Sequence, residues 1–203
     1  MQTKELNIVL VGVGGQGTLL ASDILAELGL KLGLDVKKAE VHGMSQRGGS
    51  VISHLRWAKQ VFSPIIPQAE ADVLIAFEKL EAARFISLLK PNGLALVNDY
   101  SIEPITVNTT NTRYPSNDSL KERLGLVTSN ICWVDGIGIA EKLGNTRTAN
   151  VVLLGALSAQ LEIPLETWEE VMALRIPAKY LELNRQAFLA GRAAVGTQID
   201  SSQ

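Results

Sequence analysis

At 203 residues, with 46% apolar side chains and only 7 prolines, the chain is long enough to bury one sizeable core and is expected to form one domain. Its formal net charge of -2, without a run of Lys or Arg, leaves no electrostatic footprint for nucleic acid or an anionic membrane surface. The single cysteine, Cys132, excludes an internal disulfide framework, cannot by itself hold an iron–sulfur cluster or a structural zinc, and fits a reducing, cytoplasmic compartment.

MQTKELNIVLVG passes from a short polar lead into an apolar strand with no signal-type cleavage site. No apolar run reaches the roughly 18 residues that a membrane span needs. NIVLVG (7–12) is a compact β-branched run. It breaks at glycines into a helical segment over 19–33, where Leu20, Ile24, Leu25, Leu28 and Leu32 recur at helical spacing. A second strand is expected over 35–41. The extended segment SVISHLRWA (50–58) then puts Val51, Ser53, Leu55 and Trp57 on one face, with His54 and Arg56 on the other.

ADVLIAFE (71–78) has the pattern of a buried strand, 79–93 that of a helix closed by Pro91 and Gly93, and LALVND (94–99) that of another strand. Residues 105–118 are polar and turn-rich and predict a strand with an exposed loop. A short helix near 118–125, a strand over 131–136 and a helix over 137–144 follow. The segment 148–163 is apolar all round, which predicts a buried helix. Helices near 166–174 and 178–193 close the chain, and 197–203 should fray. The alternation predicts an α/β fold, a Rossmann-like three-layer α/β/α arrangement around a mostly parallel sheet, with a core over about 6–193.

GVGGQG, Gly12 to Gly17, follows the first strand and opens the first helix. Gly12 and Gly14 let the backbone turn tightly and approach a ligand. Gly17 permits close helix–strand packing, and the helix N-terminus offers N–H groups to an anion. A tight turn that binds nothing would carry the same glycines. A nicotinamide enzyme needs an acid at the end of strand two to meet the ribose. Glu40 stands near that position, but His42 and GMSQRGGS follow it in place of an apolar adenine pocket, so the dinucleotide fingerprint is incomplete. Ser45, Gln46, Arg47 and Ser50, set among Gly43, Gly48 and Gly49, form a second group of donors at the carboxyl edge of the expected sheet. Two such loops suit a phosphate or a carboxylate, with Arg47 as a bidentate partner; the alternative is that Arg47 pairs with another subunit's carboxylate or simply sits in solvent. His42, His54, Cys132 and the three tryptophans fit packing or simple hydrogen bonding better than a metal or cofactor box.

GVGGQG, EVHGMSQRGGSV, SPIIPQAEADVLIAFEKLEAAR and GNTRTANVVLLGAL occur in that order, and with them the chain resembles the gamma subunit or domain of the 2-oxoacid:ferredoxin oxidoreductases over about residues 6–190. His42 and Met44 are most similar to the indolepyruvate type. The resemblance implies a subunit of an enzyme that oxidatively decarboxylates a 2-oxoacid, with CoA as co-substrate, and passes electrons to ferredoxin. It also implies that thiamine diphosphate, magnesium and the iron–sulfur clusters belong to a large partner subunit, with none of them in this chain. By position, Gly12, Gly14, Gly15, Gln16 and Gly17 match the family's first loop, Ser45, Gln46, Arg47, Gly48 and Gly49 its second, and Asn150 the asparagine opening its late apolar helix. The resemblance names no catalytic residue in this chain. A stand-alone NAD-dependent oxidoreductase and a non-catalytic nucleotide or CoA module remain the other readings of the glycine loops.

Overall fold

The computed structural model describes residues 5–42, 48–103 and 113–199. Six strands form one sheet in the order β2-β3-β1-β4-β5-β6: β1 (Leu6–Val13), β2 (Asp35–His42), β3 (Ser50–Ala58), β4 (Ala71–Ala76), β5 (Leu89–Asn98) and β6 (Ile131–Val134). β1, β4, β5 and β6 pair in parallel. β3 runs against both of its neighbours, pairing Val13 with Ser50 and His42 with Val51 at one end. The helical crossover from β1 therefore skips one position, and β3 returns from β2 to fill the gap.

Seven helices flank the sheet among the described residues: α1 (Thr18–Lys31), α2 (Lys79–Phe85), α3 (Asn117–Gly125), α4 (Gly136–Lys142), α5 (Ala149–Ser158), α6 (Leu165–Arg175) and α7 (Ala178–Ile199). β1 shows how the layers form. Its Ile8 and Leu10 face a large core shared with α1, α4, α5, α6 and α7. Val9 and Val11 face the other core, which α2 and α3 cover. Because both faces are dry, the strand is apolar at almost every position instead of alternating. β3 keeps the expected alternation: Leu55 and Trp57 enter the larger core, Ile52 the smaller one.

Three elements differ from their sequence expectation. The helix expected over 79–93 ends at Phe85, a 3-10 turn spans Ile86–Leu88, and β5 already starts at Leu89. Pro91 cannot donate to a helix and biases Lys90 toward extended backbone. The sheet absorbs the Pro-Asn-Gly stretch as a register shift opposite Ala71 and Val73, with Asn92 at φ 62°. The helix expected over 148–163 is shorter, Ala149–Ser158, and all ten of its residues are buried. The last helix runs longer than expected, to Ile199, so it includes the start of the predicted frayed tail; residues 200–203 lie outside the described residues. The strand predicted after residue 105 falls largely on 104–112, also outside them.

α5 and α7 cross at two glycines. A Cβ on Gly155 would stand 1.9 Å from the Phe188 carbonyl oxygen, and one on Gly191 1.9 Å from that of Val152. Arg192 then closes α5 by donating from Nη1 to the Ser158 carbonyl at 2.7 Å.

Candidate functional site

β1 and β4 are neighbours, yet the helix after β1 lies on one face of the sheet and the helix after β4 on the other. Such a reversal opens a crevice beyond the carboxyl ends of the strands. A cleft of about 620 Å³ occupies that place, walled by Gly15, Leu20, Phe77, Tyr100, Arg147 and Asn150 among others. Its lining is mainly apolar with a few polar groups converging on it, as in small-molecule sites generally.

The first glycine loop forms one wall. Gly15 (φ 105°) and Gly17 (φ 78°) adopt left-handed backbone that side chains disfavour. Gln16 acts as a staple: its Oε1 accepts the Val13 N–H at 2.7 Å and its Nε2 donates to the Phe77 carbonyl at 2.9 Å. The ends of β1 and β4 are thus tied together through one side chain. Asn98 donates to the same Phe77 carbonyl at 3.1 Å and accepts the Gly136 N–H at 3.0 Å, which adds β5 and α4 to the chain of bonds. Asn150, second residue of α5, lines the cleft and donates from Nδ2 to the Gly17 carbonyl at 3.2 Å.

The second loop meets the first. The Gly14 N–H donates to the Gly49 carbonyl at 2.9 Å, so it is used within the protein and not offered to a ligand. Gly48 has φ 77°. Ser45, Gln46 and Arg47 lie outside the described residues. The Ser50 hydroxyl donates to the Glu81 carboxylate, and Arg84 pairs with the same carboxylate at 2.7 Å. Glu40, the acid nearest to a ribose-binding position, receives Lys38 at 2.7 Å beside Asp23 of α1 and does not line the cleft.

Behind the loops stand buried charges. Glu78, 1% exposed, caps α2 by accepting the Glu81 N–H at 2.9 Å, and it also accepts the Ile102 N–H at 3.1 Å and the Tyr114 hydroxyl. Burial, and then the Glu78 carboxylate, push the Tyr114 phenol well above its ordinary range. Lys79 reaches Asp99 at 3.0 Å and Asn117 at 2.8 Å. Phe77, Asn98, Tyr100 and Arg147 were not singled out in the sequence; an asparagine closing an apolar strand was the one local signal for Asn98.

Among the described residues no group of three or more His, Cys, Asp or Glu side chains could hold a metal ion. Cys132 is buried, and burial pushes its thiol up, so the donor set here does not fit an iron–sulfur cluster. His54 is buried and accepts the Ile66 N–H at Nδ1 (3.2 Å), and burial lowers its pKa. Trp57 and Trp168 are core residues, the latter 5.4 Å from the Phe188 ring. No helix among the described residues is long and apolar enough to cross a membrane.

Residues 7–194 match the family model described as pyruvate ferredoxin/flavodoxin oxidoreductase. The chain is 41% identical over 194 residues to an indolepyruvate oxidoreductase subunit IorB from Thermococcus kodakarensis, with 93% of this chain and 95% of that one covered. Among solved structures, the gamma subunit of a keto/oxoacid ferredoxin oxidoreductase from Geobacter sulfurreducens superposes with a TM-score of 0.69 at 24% identity, covering 95% of this chain and 99% of that chain. A 2-oxoglutarate:ferredoxin oxidoreductase from Magnetococcus marinus, with 2-oxoglutarate, coenzyme A and succinyl-CoA bound, has a TM-score of 0.72 at 20% identity, covering 96% of this chain and 32% of that one. At those identities the two structures carry the fold alone.

Proposed function

The chain belongs to the pyruvate ferredoxin/flavodoxin oxidoreductase family, and from that premise we propose that it is the small subunit of a 2-oxoacid:ferredoxin oxidoreductase of the indolepyruvate type. The assembled enzyme converts an aryl pyruvate and CoA to an acyl-CoA and CO2; one proton is released and two electrons leave for ferredoxin. The substrate preference rests on the 41% identity to an indolepyruvate oxidoreductase subunit. Thiamine diphosphate with magnesium, which supplies the decarboxylation when bound, and the iron–sulfur clusters are assigned to a large partner subunit. The complex is assigned to the cytoplasm.

The observation that carries a binding role for this chain is the cleft at the reversal between β1 and β4, walled by the glycine loop and Asn150. We assign CoA to it. Its apolar walls, Leu20, Phe77, Tyr100 and Ile102, suit the organic body of such a ligand, and Arg147 at its margin suits a phosphate. Gly12, Gly14, Gly15, Gln16 and Gly17 shape the first wall, while Gly48 and Gly49 bring the second loop against it. Ser45, Gln46 and Arg47 would add donors from that loop. In this scheme Gln16 and Asn150 hold the walls in place, and the chain contributes binding and exclusion of water around a reaction carried out on the partner.

Co-purification with the large subunit, followed by a ferredoxin- or viologen-linked assay over several 2-oxoacids, tests the proposal. Activity with aryl pyruvates only in the assembled enzyme is expected, together with no NADH binding by the isolated chain in a fluorescence titration. Decarboxylation of indolepyruvate by the isolated chain, or tight NADH binding, would overturn it.

A further inference from the structure

We propose that Glu78 is a positioning residue for the cleft: one buried carboxylate holds both ends of the connection between β5 and α3, at Ile102 and at Tyr114, and so sets the Tyr100–Ile102 wall against the bound ligand. The inference rests on the reading of the cleft as the CoA site.

A helix cap alone does not account for this residue. Capping α2 takes one oxygen, Oε2, which accepts the Glu81 N–H at 2.9 Å. Asp, Asn, Ser or Thr serve that purpose better than Glu because their oxygen sits closer to the backbone. The longer side chain puts the second oxygen, Oε1, where the Ile102 N–H reaches it at 3.1 Å and the Tyr114 hydroxyl also donates to it. These donors lie 24 and 36 residues away along the chain. With three donors the carboxylate is satisfied despite being 1% exposed; an unpaired charge there would be strongly disfavoured.

Glu78's neighbour reinforces the same connection. The Lys79 N–H donates to the Tyr100 carbonyl at 3.0 Å. Its side chain is 9% exposed, and the ammonium bridges Asp99 just after β5 and Asn117 at the start of α3. Two consecutive residues at the start of α2 therefore hold the departing and the returning chain. The departing part carries Tyr100 and Ile102, which line the cleft, and Ile102 also lines a smaller cavity of about 120 Å³ beside Gly48 and Ser50. Through Ile102, Glu78 acts on the cleft wall without lining the cleft itself.

The test varies CoA with the assembled enzyme. Glu78→Asp keeps a strong helix cap but is one methylene short of Ile102 and Tyr114. The expected result is a KM for CoA raised on the order of tenfold, with kcat within about twofold and a subunit that still folds and assembles with its partner. Tyr114→Phe, which removes one donor and leaves the cap alone, should raise the same KM by roughly threefold or more. Leu20→Trp narrows the cleft directly and reports on the CoA site itself. If Leu20→Trp raises the KM while Glu78→Asp and Tyr114→Phe leave it at the wild-type value, Glu78 is a cap only and the inference falls with the cleft reading intact. If all three leave it unchanged, the cleft is not the CoA site and both fall.

Discussion

The Asn150 side-chain amide donates to the Gly17 carbonyl at 3.2 Å, joining positions 133 residues apart. The bond draws the start of α5 onto the first glycine loop, and it leaves no room between them: a Cβ on Gly17 would lie 2.5 Å from Asn150 Nδ2, on backbone already at φ 78°. Gly17→Ala therefore combines a strained conformation with a clash, and it should lower stability by about 3 kcal/mol and raise the KM for CoA of the assembled enzyme. Asn150→Ala loses that hydrogen bond and the one its Oδ1 accepts from the Val151 N–H at 2.9 Å, with an expected cost of about 2 kcal/mol, because the Gly17 carbonyl still accepts the Ala21 N–H at 3.1 Å. Urea unfolding of the isolated chain ranks the two, and an equal cost for both would contradict the packing described.

The crossing of α5 and α7 makes a second prediction. Gly155→Ala and Gly191→Ala each push a methyl group into a backbone carbonyl of the other helix, and backbone cannot turn aside as a side chain can. Each should cost about 3 kcal/mol or more and prevent recovery of folded protein at elevated temperature. Gly144→Ala is a control for a different effect: nothing lies within 4 Å of its Cβ position, but φ 85° leaves a conformational penalty of about 1 kcal/mol. A thermal-shift comparison of the three should show the interhelical pair well below the control.

His54 makes stability depend on pH in a predictable direction. Burial holds its folded-state pKa below that of an unfolded histidine, about 6.5. Between those two values the unfolded chain binds more protons than the folded one. The contribution is therefore fully present above pH 6.5 and is lost as pH falls through the lowered folded value. His54→Gln keeps an acceptor for the Ile66 N–H and removes the titration. Denaturant midpoints measured from pH 8 to pH 5 should fall less steeply for the variant than for the parent; parallel profiles would remove His54 as a source of the slope.

Arg47 stands between the end of β2 and Gly48, in the stretch GMSQR outside the described residues. Its guanidinium suits bidentate recognition of a phosphate or carboxylate. Arg47→Ala should reduce kcat/KM of the assembled enzyme roughly tenfold while the unfolding transition of the isolated chain stays in place. Full activity would exclude Arg47 from the site.

Much of this architecture is legible locally. β-Branched runs such as NIVLVG and ADVLIA have few conformations open to them and become central strands. The glycines of GVGGQG mark the turn because left-handed backbone at Gly15 and Gly17 is costly for other residues. The apolar run after Thr148 announces its own burial. Other features have no local signature. Pro91 and Gly93 signal the end of a helix, but nothing in the sequence shows that the helix has already stopped at Phe85 and that the sheet takes up the bulge.

The alternation of elements, the turn at Gly12 to Gly17 and the apolar character of both sheet faces are written in the chain's local order of residues. Each depends on backbone preference or on the spacing of side chains a few residues apart. Folding alone places β3 between β1 and β2, commits the Gly14 N–H to Gly49, and makes Gln16 and Asn98 share the Phe77 carbonyl. Folding likewise brings Ile102 and Tyr114 to Glu78. These depend on which distant groups meet once the core excludes water and every buried donor and acceptor must find a partner.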